Sequence, residues 1–163
     1  MKQSFPPLID SNSRILILGT MPGEKSLELQ QYYGNRGNQF WKLLFLIFGK
    51  ELSDDYKEKV RLLRDNHIAV WDVLEYCERE GSLDSGIKNE QANDLVSLYK
   101  KYPRLEYVFF SSKNAAAYYD KYTERREGIH YDVLPSPSGA NATLIFQEKL
   151  EIWSEKILHA IRT

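Results

Sequence analysis

Short apolar runs alternate along the chain with longer segments in which apolar residues recur every three or four positions. Four runs, at 14–19, 67–74, 105–110 and 130–134, have the length and the aliphatic or aromatic content of buried strands. The first, Arg14-Ile-Leu-Ile-Leu-Gly19, ends at a glycine that indicates a turn. We therefore expect four strands, each followed by a loop or a helix.

The segments between these runs carry helical periodicity and capping residues. Ser53-Asp54-Asp55 is typical of an N-cap with acidic first-turn residues, Ser112 can cap another helix, and Pro103 ends a third. The predicted helices cover 39–48, 53–65, 94–101, 113–122 and 142–161, while 20–38 and 78–93 are expected to be loops.

Strands that alternate with helices indicate a parallel sheet covered on both faces. The sequence therefore predicts a three-layer α/β/α fold around a central, mostly parallel four-stranded sheet, built as one domain over 1–163. Ligands of such sheets bind beyond the carboxyl ends of the strands. The candidate site is thus made of four segments, 19–38, 71–77, 111–114 and 135–141.

Length and cysteine content exclude several classes of protein. No apolar run approaches the ~20 residues needed to cross a bilayer. Met1 to Asp10 lacks the basic end and hydrophobic run of a signal peptide, so we expect a cytoplasmic location. The lone Cys77 can neither form an internal disulfide nor supply a cysteine-rich metal site.

The balance of charge gives no overall signature of a nucleic-acid binder, because the formal net charge is −1. Any DNA-binding face must come from local cations, and Lys25, Arg36, Lys42 and Lys113 are the candidates near the expected rim. The 13% aromatic content suits base stacking as well as core packing.

The loop after the first strand, Gly19-Thr-Met-Pro-Gly-Glu-Lys-Ser26, superficially resembles the phosphate loop of nucleoside triphosphatases. That motif requires four residues between its glycines and a Lys directly after the second. Here three residues separate Gly19 from Gly23, and Glu24 stands in place of the Lys. Pro22 also lacks an N–H that could bind a phosphate. The spacing argues against triphosphate binding.

Two further loops on the same rim combine with this one into a family pattern. The aromatic loop from Tyr32 ends in Asn38-Gln-Phe-Trp41, and the small-residue loop Pro135-Ser-Pro-Ser-Gly-Ala-Asn141 precedes the last helix. In this order the motifs resemble the uracil-DNA glycosylase superfamily over nearly the whole chain. Asn38-Gln-Phe-Trp41 and Ser136-Pro-Ser-Gly139 are similar to elements of its mismatch-specific branch.

Other segments resemble the hypoxanthine-DNA glycosylase branch more closely. They are Phe5-Pro-Pro-Leu-Ile-Asp10, Tyr32-Tyr33, Ala69-Val-Trp-Asp-Val73, Gly81-Ser-Leu-Asp84 and Leu134-Pro-Ser-Pro-Ser138. The resemblance implies a base-excision repair glycosylase that flips a deaminated base and hydrolyses its N-glycosidic bond without a metal or cofactor. It implies hypoxanthine as the substrate, with uracil or xanthine as alternatives. The partner would be damaged double-stranded DNA, with single-stranded DNA as an alternative, and the enzyme a monomer.

The same resemblance gives candidate residues three roles. Asn38 and Asp72 are the candidate catalytic residues. The neutral amide of Asn38 could orient a water and donate to the base, and Asp72 could accept a hydrogen bond from a ring N–H of hypoxanthine or help activate the water. The base would contact Gly19, Thr20, Met21, Tyr33, Phe40 and Ser111, with the Tyr33 ring stacked on it. The DNA backbone would contact Pro22, Gly23, Ser136, Pro137, Ser138, Gly139, Ala140 and Asn141.

Each principal assignment has an ordinary structural alternative. Tyr33 could pack under its loop, Asn38 could cap the following helix, and Asp72 could hold a neighbouring loop. Ala140 is too small for a wedge in the base stack, so pocket contacts or Asn141 would have to hold the flipped state.

Three residues depart from the family pattern. Met21 stands where the mismatch-specific branch has a water-orienting Asn, and Ser136 where the major uracil-specific branch has a His, so neither role carries over. Arg36 replaces a Pro common in the related loop. These departures leave a catalytically weak or inactive DNA-binding damage sensor as an alternative, and a small-molecule nucleotide hydrolase as a third.

Overall fold

A computed structural model describes residues 1–141 and 143–163. Within them the strands are β1 (Lys2–Gln3), β2 (Ile15–Gly19), β3 (Ile68–Asp72), β4 (Leu74–Glu78), β5 (Lys88–Ala92), β6 (Tyr107–Phe110) and β7 (His130–Val133). The helices are α1 (Glu24–Leu29), α2 (Phe40–Ile47), α3 (Tyr56–Asp65), α4 (Leu95–Lys101), α5 (Lys113–Tyr122) and α6 (Phe146–Arg162).

The main sheet has the strand order β3-β2-β6-β7, and each neighbouring pair is parallel. Side chains of the central strand β2 point alternately to two cores. Ile15 and Ile17 pack with α2, α3 and α6 on one face, while Leu16 and Leu18 pack with α4 and α5 on the other. The predicted three-layer fold with a four-stranded parallel sheet is confirmed.

A second, antiparallel sheet was not predicted. It has the strand order β1-β4-β5. In the sequence, its strand β4 follows β3 of the main sheet directly after Val73. The apolar run at 67–74 was expected to be one strand, but the ladder is interrupted at Val73, whose N–H donates to the Gly19 carbonyl oxygen at 2.8 Å. The chain then continues as β4 in the second sheet, so the prediction of a single strand was wrong.

The remaining differences concern helix positions. Six residues of the expected loop at 20–38 form α1, and a short 3-10 turn, Asp84–Gly86, interrupts the polar stretch at 78–93. The last helix begins at Phe146 instead of 142, and Ala142 itself lies outside the described residues. No helix of the described ranges combines the length and the apolar character needed to span a membrane.

Candidate active site

A cleft of about 1090 Å³ opens at the carboxyl ends of the four parallel strands. Gly19, Asp72, Ser111 and Val133 stand at or just beyond these strand ends and line it. All four segments expected on the rim contribute to its wall. Every residue proposed for the site except Phe40 lines the cleft, so the topology brings together groups that are far apart in the sequence.

Three side-chain oxygens crowd the face of Gly19 at the floor of the cleft. A Cβ atom at this position would lie 2.6 Å from Asp72 Oδ1, 3.1 Å from the Tyr33 hydroxyl and 3.5 Å from Ser111 Oγ. The parallel register of β2 and β3 sets Asp72 directly beside Gly19. A residue with a side chain would displace these oxygens, so the glycine is required by the polar cluster and not by its own backbone angles.

The Asp72 carboxyl group is buried without full hydrogen bonding. The residue is 5% exposed, and Oδ2 has no hydrogen-bond partner among the described residues. Burial, with a smaller contribution from the negative charge of Asp84, raises the pKa of Asp72 from 3.8 to about 7, and the Arg79 guanidinium opposes the rise. Near neutral pH the floor of the cleft therefore holds a carboxyl group that is protonated in a substantial fraction of molecules.

Tyr33 forms an aromatic wall with support from the core. Its ring stacks on Phe40 with centroids 3.8 Å apart and planes 10° from parallel, and its hydroxyl donates to Ser111 Oγ at 3.4 Å. Burial raises the pKa of the phenol, so the hydroxyl stays protonated. Because Phe40 covers one face of the ring, only the other face is left for a ligand.

Phe40 therefore differs from its expected place. It is fully buried in the core behind Tyr33 and does not line the cleft. The strong hydrophobic character of 40–48 accounts for this, because the first residue of α2 belongs to the buried face of that helix. Phe40 supports the aromatic wall from behind by stacking on Tyr33.

Asn38 lies at the rim, immediately before α2. Its Oδ1 accepts a hydrogen bond from the Phe40 N–H at 2.9 Å, so the side chain binds the first N–H of α2, although Gln39 occupies the N-cap position. This bond fixes the amide orientation and leaves the second lone pair of Oδ1 for another donor. Among the described residues the Asn38 amide nitrogen has no acceptor. The hydrogen bond to the helix start and a role in the cleft are compatible at this residue.

The small-residue loop 135–141 is held by its own side chains and by the aromatic loop. Ser136 Oγ accepts from the Ser138 N–H at 3.3 Å, and Ser138 Oγ accepts from the Ala140 N–H at 3.2 Å. Gly139 contacts the carbonyl oxygen of Gly37 so closely that a Cβ could not be accommodated. Both serine hydroxyls keep their own hydrogen atoms for an external acceptor such as a phosphate.

The first loop contributes another part of the wall. Thr20 and Met21 are buried to 6% and 8% exposure, and Thr20 Oγ1 has no hydrogen-bond partner among the described residues. Arg79, whose side chain is fully buried, donates from Nη2 to the Pro22 carbonyl oxygen and fixes the Pro22-Gly23 turn. Met21 thus provides an apolar surface to the cleft where a polar side chain could have held a water.

Sequence analysis missed a part of the wall that comes from the connection between β4 and β5. Ser82, Leu83 and Asp84 line the cleft, and Ser82 Oγ accepts from the Glu24 N–H at 2.9 Å. The Gly81-Ser-Leu-Asp84 motif within a polar stretch was the available signal. Of the candidate cations, Lys25 and Lys113 line the cleft, as does Lys156, which was not predicted.

An aromatic wall, a buried carboxyl group and a loop of small residues at the end of a parallel sheet define an α/β protein that can hold a planar base beside a phosphate backbone. The sequence model of the uracil DNA glycosylase superfamily matches residues 6–155. The chain belongs to the uracil-DNA glycosylase superfamily, and it is a DNA N-glycosylase.

Individual relatives agree with this assignment. The chain is 42% identical over 142 residues to a hypoxanthine DNA glycosylase of Methanosarcina acetivorans, covering 86% of this chain and 89% of the relative. It is 41% identical over 155 residues to a hypoxanthine DNA glycosylase of Methanosarcina barkeri, covering 94% and 96%. A solution NMR structure from Methanosarcina acetivorans, proposed to be a uracil DNA glycosylase, superposes with a TM-score of 0.84 at 39% identity and covers 98% of both chains.

Proposed function

We propose that this glycosylase removes hypoxanthine from double-stranded DNA by hydrolysing the N-glycosidic bond of a flipped deoxyinosine. The observation that carries the proposal is the buried, incompletely hydrogen-bonded carboxyl group of Asp72, which lies near the Tyr33 hydroxyl at the floor of the cleft. The names of the two Methanosarcina relatives support the same substrate.

The edge of hypoxanthine fits a carboxyl group that is protonated near neutral pH. Hypoxanthine presents an N1–H donor next to an O6 acceptor. A protonated Asp72 offers a carbonyl acceptor and a hydroxyl donor side by side, so it can make both hydrogen bonds, whereas an ionised carboxylate would repel O6. The free face of Tyr33 stacks on the purine, which is typically worth ~1–3 kcal/mol per base.

The bond-breaking step needs a placed water more than a strong base. The C1′–N9 bond breaks with its electron pair leaving on the purine, the water oxygen bonds to C1′, and the proton that this water loses ends on the purine, which is released as neutral hypoxanthine. Asn38 Oδ1, already oriented by the Phe40 N–H, accepts a hydrogen bond from that water through its second lone pair. Asn38 Nδ2 donates to the departing base and stabilises its developing negative charge.

Excision assays on defined lesions test this proposal. Purified protein in chelator is incubated with duplexes that each contain one hypoxanthine, uracil, xanthine or mismatched thymine, and free base is measured by chromatography. We expect hypoxanthine to be released fastest. Asn38→Ala should lower the rate by about a hundred- to a thousandfold, as the loss of an oxyanion-type donor does.

Asn12→Ala is the matched control, because Asn12 contacts Arg104 and does not line the cleft. Release of another base in preference to hypoxanthine would contradict the proposed substrate. An unchanged rate of base release in Asn38→Ala would contradict the proposal that Asn38 orients the attacking water. Tight binding of damaged duplexes without release of any base would favour the damage-sensor alternative, which Met21 in place of a water-orienting Asn also favours.

A further inference from the structure

A buried lysine lies beneath the small-residue loop and has no place in the proposed chemistry. Lys149, near the start of α6, is 1% exposed, although lysine is almost never fully buried without a counter-charge. Among the described residues no carboxylate lies within 4.0 Å of its ammonium group. Burial lowers the pKa of Lys149. A cation in this position lowers the stability of the fold for two reasons. It is removed from water without a counter-charge, and it lies near the N-terminus of α6, where the helix dipole is positive.

The hydrogen bonds of Lys149 join two loops of the cleft. Its Nζ donates to Gln39 Oε1 at 2.9 Å and to the Ser138 carbonyl oxygen at 3.3 Å. The Gln39 N–H donates in turn to the Pro137 carbonyl oxygen at 2.7 Å. The segment that begins with Asn38 and the loop 135–141 are therefore held as one unit with a positive charge beneath it.

The peptide bond between Ser138 and Gly139 connects this charge to the exposed surface. Its carbonyl points at the ammonium, and in a trans peptide the N–H of the next residue points the opposite way. Gly139 is exposed, and its N–H has no acceptor among the described residues. A cation at the carbonyl end polarises the peptide, and the Gly139 N–H becomes a stronger donor to an anion.

We propose that Lys149 is a positioning residue for DNA binding: it holds loop 135–141 against Gln39 and strengthens the hydrogen bond from the Gly139 N–H to one phosphodiester of the DNA. The proposal rests on loop 135–141 being the backbone-binding loop, and it does not depend on which base is removed.

Neutralising single phosphates tests the proposal without any excision. Duplexes carry a stable tetrahydrofuran abasic site and one methylphosphonate, placed in turn at each phosphate flanking that site, and affinities are measured for the wild type and Lys149→Met. We expect one position at which methylphosphonate weakens wild-type binding roughly tenfold, as the loss of one close charge interaction does, and does not weaken Lys149→Met. Lys100→Met, at an exposed position of α4, controls for net charge and should behave as the wild type.

Two other outcomes overturn the proposal in different ways. If Lys149→Met binds more weakly but keeps the wild-type sensitivity at every position, Lys149 has only a structural role. If no position weakens the wild type, loop 135–141 does not bind the DNA backbone in the way that the family resemblance implies.

A measurement on the wild type covers the case in which Lys149→Met does not fold. The Gly139 amide resonance is followed by ¹H–¹⁵N NMR while the abasic duplex is added. We expect a downfield proton shift that is reduced when the sensitive phosphate is a methylphosphonate. An unmoved Gly139 amide refutes the proposal.

Discussion

Replacing Asp72 by Asn tests whether the floor of the cleft holds a carboxyl group that resists ionisation. Asn has nearly the same shape and remains neutral at every pH. Burial, with the nearby negative charge of Asp84, raises the pKa of Asp72 from 3.8 to about 7, against the opposing effect of Arg79. The variant removes the titration and leaves the packing almost unchanged.

The raised pKa of Asp72 determines how strongly the free energy of unfolding should depend on pH. Because the pKa is raised in the folded state, the protonated form favours folding, and this contribution is lost as the pH rises from about 4 to about 7. A tenfold change in an equilibrium constant is worth about 1.4 kcal/mol, so the whole rise corresponds to about 4 kcal/mol. The Asp72→Asn variant does not lose this contribution. Its stability relative to the wild type should therefore improve by up to about 4 kcal/mol between about pH 4 and about pH 8.

Urea unfolding at a series of pH values measures this difference. The free energy of unfolding is obtained from tryptophan fluorescence for the wild type, Asp72→Asn and the exposed control Asp54→Asn, which should follow the wild type. Parallel curves for wild type and Asp72→Asn over the whole range would refute the reasoning, because they would mean that Asp72 is ionised and compensated in the folded protein.

Three further predictions concern the loops and the second core. Gly139→Ala places a Cβ against the Gly37 carbonyl oxygen and should lower the free energy of unfolding by about 1–3 kcal/mol. It should also weaken the binding of an abasic duplex, measured by fluorescence anisotropy. Undiminished binding would show that the close contact between Gly139 and Gly37 is not needed for binding. Arg79→Met removes the cation that lowers the Asp72 pKa. In urea unfolding at a series of pH values, the pH range over which this variant loses stability should therefore extend to higher pH than in the wild type. An unchanged pH range would count against this electrostatic contribution of Arg79. Tyr119→Phe deletes a hydroxyl that bonds two neighbouring tyrosines; it should lower the free energy of unfolding by about 1 kcal/mol and leave excision unchanged, whereas slower excision would link this cluster to the cleft.

Local signals were sufficient for the main sheet and for most helices. The helix Lys113–Tyr122 was predicted with its observed bounds, because the Ser112 side chain accepts from the Ala115 N–H and fixes its start. The continuous apolar run of β2 reflects burial on both faces of a parallel sheet. The rule that ligands bind at the carboxyl ends of strands then selected four segments, and residues of all four line the cleft.

The second sheet could not be predicted in the same way. β5 is formed by mostly exposed polar residues, and its pairing with β4 contains register shifts, so neither strand shows regular alternation. β1 has only two residues and pairs with Tyr76 and Cys77, which lie far along the chain. Such strands depend on long-range hydrogen bonds, which a local pattern does not record.

Lys149 was missed for a different reason. It precedes Trp153 by one turn and so lies on the apolar stripe of α6, where a charged residue is unusual. That position was the available signal. Its partner Gln39 lies 110 residues away in the sequence, and its partner Ser138 lies in the loop before α6. Neither contact follows from the pattern of α6 itself.

Because Tyr33 stacks on Phe40, the aromatic wall of the cleft packs directly on the hydrophobic core. Phe40 also makes edge contacts with Trp41 and Trp153, so the aromatic wall is continuous with rings that cannot loosen unless the core between α2 and α6 loosens as well. We therefore expect the aromatic wall to lose its packing together with this core. On heating, the capacity to hold a base should persist up to the temperature of global unfolding and then disappear with it.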